Sequence, residues 1–407
     1  MKYVFTIWFL AIAFLLVPHA VSAQDIDRSI SFDFYGDSIH FEFNNADFID
    51  FDEKQVSAQT IQEFYNRASE KEFPSITNAL FNYKNTHQPD DWLYYQLIRK
   101  TVQQISPKEK NYLRYTLYKW YLMIQSGYDP LFSLYQNKLL FYIQCDENIY
   151  NIPFCIVDGK QYVCLNYHDY GSNIDFSKLK FDLLDIKTVV ENPKTFSYRI
   201  HKLPDFNKSD YIEKELRFST TDRNEYRFNI KVNPQVSAIF KNYPTVDYDA
   251  YFNMPVSRET YASLIPLLTK KVEKLNVNDG VAYLMRFTRY AFVYEPDGQH
   301  HVSEKRLTPE QTLIQETSDC EDRVFLFYYL VREIYDLPMI AVEYDNHITL
   351  AVKFDKPVGK YTIQYEGSAY SICEPTPQES DLNIGQLSPR FRNQKYEVVY
   401  AYRPLKN

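Results

Sequence analysis

Residues 317–338 read TSDCEDRVFLFYYLVREIYDLP. The run from Val324 to Ile334 is long and apolar enough for a packed helix. Asp336-Leu337-Pro338 stops it, because proline cannot continue a helix and disfavours helical backbone in the residue before it. At the other end Ser318 or Asp319 can cap the helix, and Ser318-x-x-Glu321 has the spacing of a capping box. Val324, Phe327, Val331 and Ile334 recur at helical spacing and form the apolar stripe. One turn back from Val324 is Cys320. The pattern therefore predicts a thiol in the first turn, on the packing face, among acidic neighbours.

That placement is chemically divided. Backbone N–H groups at a helix start favour an anion such as a thiolate, by about 0.3–1 kcal/mol near the surface and up to about 2 kcal/mol when partly buried. Asp319, Glu321 and Asp322 oppose it. A nucleophilic role for Cys320 needs a cationic partner, most simply an imidazolium. The downstream sequence contains one. Residues 339–344 read as a strand, Asp345-Asn346 as a turn, and 347–354 as a strand that opens on His347. A further strand over 369–373 ends at Glu374-Pro375-Thr376. Cysteine, histidine and carboxylate are a nucleophile, a base and an orienting group. His347 and Glu374 meet only if their strands are antiparallel neighbours. Residues 355–368 are therefore expected to make an excursion, not to form the middle of a simple meander. Cys373 points away from Glu374 and is expected in the core. Asp319 and Asp322 are expected to satisfy helix-start N–H groups and to pair with Arg323 or a loop arginine.

Thr317-Ser318-Asp319-Cys320-Glu321-Asp322-Arg323, then Asn346-His347, then Cys373-Glu374-Pro375-Thr376 together resemble the core of the transglutaminase-like superfamily. Tyr294, Asp297 and Leu313 resemble its upstream pattern. The match covers residues 255–380, under a third of the 407. The resemblance implies an α+β fold with a papain-like core, a cysteine helix packed on an antiparallel sheet. It implies Cys320 as nucleophile, His347 as general base and acid, and Glu374 as the orienting carboxylate. Ser318 stands where the family has glycine. Glu374 stands where it has aspartate, one methylene shorter, which changes how His347 is held. The backbone N–H of Cys320 is expected as one oxyanion donor, with Gln315 the candidate for the other.

The length of 407 residues implies two or three domains. The main boundary falls near 250, between a mixed helical and β N-terminal region (24–250, with a further break between 130 and 195) and the transglutaminase-like domain (251–407). In the first region helices are expected over 58–69, 75–85, 90–105 and 108–125. Asp90-Asp91 would cap the third, and Pro107 would lie in the first turn of the fourth. Strands are expected within 29–51 and 137–169 and over 196–201, 216–220 and 226–232. Helices over 257–276 and 279–294 lead to the cysteine helix. Lys2, the apolar run 4–17 and Val21-Ser22-Ala23 form a secretory signal over 1–23, with the mature chain starting at Gln24. An exported protein, periplasmic or extracellular, is expected, with no membrane span after cleavage.

The net charge of −8 argues against a nucleic-acid partner, which needs basic patches. Aromatic residues are 17% of the chain, with 37 Tyr, read as core and half-buried filler. His300-His301 has no ligand partners at useful spacing, so no metal is expected, and no motif points to a cofactor. Five cysteines leave at least one thiol outside intramolecular disulfides. A hairpin turn at Asp158-Gly159 would set Cys155 opposite Tyr162, and Cys145, Cys155 and Cys164 are expected as small buried hydrophobes. The leading functional expectation is a cysteine hydrolase, a peptidase or amidase, acting on a peptide or protein, cell-wall peptide included. Two alternatives stay open: acyl transfer to an amine by a true transglutaminase, and an inert scaffold of this ancestry used for binding.

Overall fold

The computed structural model describes residues 27–171, 174–175, 182–219, 225–295 and 306–404. The expected signal segment with Gln24, as well as Asp297 and His300-His301, lies outside them. The protein is mixed α+β. Alternation over 29–51 resolves into a hairpin of β1 (Arg28–Phe34) and β2 (Asp37–Phe43). The reason is the turn, where Tyr35 and Gly36 take φ of 54° and 104°.

Four helices follow: α1 (Ala58–Lys71), α2 (Pro74–His87), α3 (Asp91–Ile105) and α4 (Tyr112–Gln125). A Ser57–Thr60 capping box starts α1. Two expected helix starts are corrected. Asp90 precedes α3 but makes no side-chain cap; its carboxylate accepts from His201 and Lys202 N–H at 2.7 and 3.3 Å. Pro107 lies in a turn ahead of α4, and Asn111 caps that helix by accepting from Arg114 N–H at 2.7 Å. On α4 Lys119 is 0% exposed, and its Nζ has no hydrogen-bond partner among the described residues. The ammonium faces the Tyr115 ring at 4.6 Å and the Tyr95 and Phe141 rings at 5.9 Å.

A four-stranded antiparallel sheet has the order β3 (Leu131–Tyr135), β4 (Lys138–Gln144), β7 (Lys160–Cys164), β6 (Phe154–Val157). Cys155 pairs with Tyr162 across the β6–β7 hairpin. Cys145 and Cys164 are buried and Cys155 half-buried, and all five cysteines are free. The short β5 (Ile149–Tyr150) pairs with β10 (Thr245–Val246). Residues 196–201 form no strand; Phe196 N–H bonds Gln144 O at 2.8 Å, and the chain is held mainly by carboxylates such as Glu147.

The hairpin β8 (Ile212–Ser219) with β9 (Glu225–Val232) leads to α5 (Gln235–Ile239), α6 (Tyr248–Phe252), α7 (Arg258–Val272) and α8 (Val277–Tyr290). Phe218 and Phe228 of this hairpin meet Phe287 of α8 at 5.6 and 6.0 Å, so residues ahead of 250 complete the core around α8. The helix expected over 279–294 ends at Tyr290. Val293–Tyr294 instead forms β11, parallel to β12 (Thr317–Ser318). Between them α9 (Pro309–Ile314) carries Glu310, whose buried carboxylate accepts from Ser257 N–H (2.6 Å), Ser257 and Thr260 hydroxyls (2.7 Å each) and Asn233 N–H (3.3 Å).

The last part centres on α10 (Cys320–Tyr335). Beyond its expected stripe, every residue from Glu321 to Val331 is buried. A helix apolar all round is one enclosed on all sides. Here α8, α9 and the main sheet surround it. That sheet is antiparallel, in the order β15 (Thr362–Tyr365), β16 (Ser368–Cys373), β14 (His347–Val352), β13 (Met339–Tyr344), β17 (Glu397–Tyr402). Ile348, Leu350, Val352 and Cys373 belong to the core that contains α10. Ala351, Ile372, Ile363 and Phe391 form a second core on the opposite face. The excursion over 355–368 is present: β15 lies outside β16, which leaves β16 beside β14. Among the described residues no helix is long and apolar enough to cross a membrane.

Candidate active site

Helix α10 begins at Cys320 because of a reciprocal cap. Asp319 accepts from Asp322 N–H at 2.9 Å, and Asp322 accepts from Asp319 N–H at 3.3 Å. This box replaces the expected Ser318–Glu321 pair. Asp322 also accepts from Leu307 N–H at 2.8 Å, which ties the incoming loop to the cap. The loop arginine pairs with the third acid, Arg306 to Glu321 at 3.0 Å. Arg323 turns inward instead and donates to main-chain carbonyls, which corrects its expected pairing.

The thiol therefore stands at the helix mouth. Burial pushes it up to about 12, with Asp319, Glu321 and Glu374 acting in the same direction. The Ile348 backbone N–H, directed at the sulfur, pulls the other way. At neutral pH the isolated group is a neutral thiol. Asp319→Asn keeps an equally good cap while removing one charge. The basic limb of the Cys320 alkylation profile should shift to lower pH, with the melting temperature within about 2 °C of wild type. An unshifted limb would mean that Asp319 does not govern the thiol.

His347 opens β14 and is 5% exposed. Its Nε2 bonds Glu374 Oε2 at 2.7 Å, and its ring stacks on Phe391 with centroids 4.6 Å apart. The other carboxylate oxygen of Glu374 accepts from Thr376 N–H at 2.9 Å. Strand register produces this pairing. Leu350 lies opposite Cys373, so the next step sets Glu374 beside Thr349, whose hydroxyl donates to Cys373 O at 3.1 Å. Opposed residues share a face, so Glu374 and His347 are diagonal neighbours. Such neighbours are roughly 7–8 Å apart in the backbone. The extra methylene of glutamate helps to cover that span, and the Thr376 N–H fixes its longer arm.

The alternation of β14 sends Ile348, not the His347 ring, toward α10. Cys320 and His347 still open onto one cavity of about 560 Å³, shared with Tyr248, Tyr294, Glu343 and Arg390. The two groups are not hydrogen-bonded to each other. With Nε2 on Glu374, the nitrogen left for the cavity is Nδ1, which has no hydrogen-bond partner among the described residues. In the neutral ring Nε2 carries the proton for Glu374, so Nδ1 holds the basic lone pair.

Tyr294 lies next to the cysteine because β11 pairs Tyr294 with Ser318. Burial and then the neighbouring Cys320 raise its pKa, so its hydroxyl remains a donor at neutral pH. Gln315, the expected second donor, is exposed at the end of α9 and does not line the cavity. On the facing wall the Tyr248 hydroxyl lies 2.8 Å from Glu321 and 2.6 Å from Glu343, beneath the Arg306 guanidinium at 4.1 Å. Neither this wall nor the Ile348 N–H has a signature in the sequence, because each depends on segments joined only by folding. Among the described residues no group of three His, Cys, Asp or Glu side chains could hold a metal ion. Compared with protein-family models, with curated proteins and with solved structures, the chain matches none.

Proposed function

We propose that the chain is an exported cysteine hydrolase with a papain-like core of the transglutaminase-like kind, cleaving amide bonds in a peptide or protein. The observation that carries this reading is the buried His347–Glu374 bond, with Nδ1 left over and Cys320 on the same cavity. Cys320 Sγ attacks the scissile carbonyl carbon while its proton passes to His347 Nδ1. Glu374 stabilises the resulting imidazolium through Nε2–H. The Cys320 N–H and the Tyr294 hydroxyl are the donors for the tetrahedral oxyanion. His347 then protonates the leaving amine as the C–N bond breaks, leaving a thioester. Water, deprotonated by Nδ1, attacks that thioester and releases the carboxylic acid and the thiol.

Hydrogen bonds between catalytic groups are often long before substrate arrives and tighten in its complex. Among the described residues Glu343 and Asp345 face Arg390 on the cavity rim, an excess of acid that favours substrates with a positive group near the amide over anionic ones. The test is a screen of cell-wall peptides and denatured proteins, quenched in acid and analysed by mass. Acyl adducts on Cys320 and new amine termini are expected, both lost in Cys320→Ala. Cleavage that survives Cys320→Ala would end the proposal. Added primary amine separates the chemistries: its incorporation into product indicates acyl transfer, its exclusion hydrolysis.

A further inference from the structure

Two buried guanidinium groups connect the cysteine helix to the carboxylate strand. Arg323 follows Cys320 by three residues on α10 and is 0% exposed. It donates to the carbonyls of Thr288, Arg289 and Phe292 at 3.3, 2.6 and 3.0 Å, at the C-terminal end of α8. Arg289, on that same last turn, is 1% exposed. It donates to the carbonyl of Glu374 through Nε at 3.1 Å and again through Nη2, and to Leu382 O at 3.0 Å. Its Nη1 pairs with Asp381. Arg323 thus holds the carbonyl of Arg289, and Arg289 holds the carbonyl of Glu374.

Burying a guanidinium is costly, and apolar residues of similar volume usually serve stability as well or better. The cost is visible here. Among the described residues Arg323 Nε is buried without a partner, and burial lowers the Arg323 pKa to about 10. The return is geometric. A planar fork can fix several carbonyls at once, which a lysine ammonium cannot do in the same way. Those carbonyls belong to the segments that meet the thiol helix and the orienting carboxylate.

We propose that Arg289 and Arg323 are positioning residues, a buried guanidinium relay that sets the spacing between Cys320 and the Glu374–His347 pair. This rests on the cysteine-hydrolase reading. Displacements of about 1 Å in such constellations can lower rates by up to about a hundredfold. The experiment compares pH profiles of Cys320 alkylation by iodoacetamide in the full chain, wild type against Arg289→Lys, Arg323→Lys and Asp381→Asn, with melting curves alongside. Asp381 is 22% exposed, so its variant loosens Arg289 without emptying the core.

In the lysine variants the His347-dependent rate near pH 7 should fall about tenfold, and the profile should approach that of Glu374→Gln. Asp381→Asn should shift in the same direction by less. Variants that melt lower but keep the wild-type profile would make both arginines merely structural and overturn the relay. If the lysine variants do not fold, an Asp381→Asn profile identical to wild type overturns it. A wild-type profile without any His347-dependent limb would instead defeat the hydrolase reading, a separate result.

Discussion

Replacing His347 with alanine should slow alkylation of Cys320 by iodoacetamide at pH 7 by about a hundredfold or more. Burial and the flanking acids hold the thiol near 12, so without a base almost none is ionised at neutral pH. On the proposed mechanism the wild-type proton passes to Nδ1, with Glu374, bonded to Nε2, stabilising the imidazolium. The variant should gain reactivity only as pH climbs toward the thiol's own pKa, whereas wild type should react well below it. His347→Gln and Glu374→Gln separate loss of the base from loss of its support, and the second should retain part of the rate. Peptide mass mapping is needed because Cys155 is half-buried and can react as well. Equal labelling of wild type and His347→Ala would mean that the imidazole does not serve the thiol, and the scaffold reading would take over.

Lys119→Met should stabilise the protein at pH 7 by about 3–4 kcal/mol. Burial depresses this ammonium to about 7, with Arg99 adding to the effect and Asp169 opposing it. The sign follows from proton binding. Above the unfolded lysine value both states are neutral at this position, and nothing is lost. As pH falls toward 7, the unfolded chain takes up the proton and the folded one does not, so folding weakens. Below 7 both are charged and the penalty is constant. The gain from methionine should therefore be largest at pH 7 and below, and shrink toward zero near pH 10.5. Urea melts of both proteins across this range measure it as a difference, which cancels the tyrosine and cysteine ionisations common to both. A variant less stable than wild type at pH 7 would show that the cation–ring contacts outweigh desolvation.

The site was legible where local chemistry decides structure. Asp336-Leu337-Pro338 ends α10, Asp345-Asn346 turns β13 into β14, and the need for His347 to meet Glu374 requires an excursion over 355–368, which the structure fills with β15 outside β16. Other features depend on what surrounds a segment. The stripe Val324, Phe327, Val331 and Ile334 describes one face, while Phe325, Leu326 and Tyr328 are buried as well because other elements enclose α10. Asp90 looks like a cap but is drawn to the backbone of residues 201 and 202, which no local pattern reveals. Gln315, the expected second oxyanion donor, has no local pattern behind it. The turn into β12 leaves it exposed, and Tyr294 reaches the cavity through strand pairing.

Since α10 is enclosed along most of its length, Cys320 has almost no freedom to be relocated by mutation without unfolding its surroundings. On the hydrolase proposal, retuning for new substrates is thereby channelled to the exposed rim, where Asp345 and Arg390 can vary at little cost to stability. An engineer or a lineage retuning this protein would exchange those few side chains and leave Cys320, His347 and Glu374 untouched.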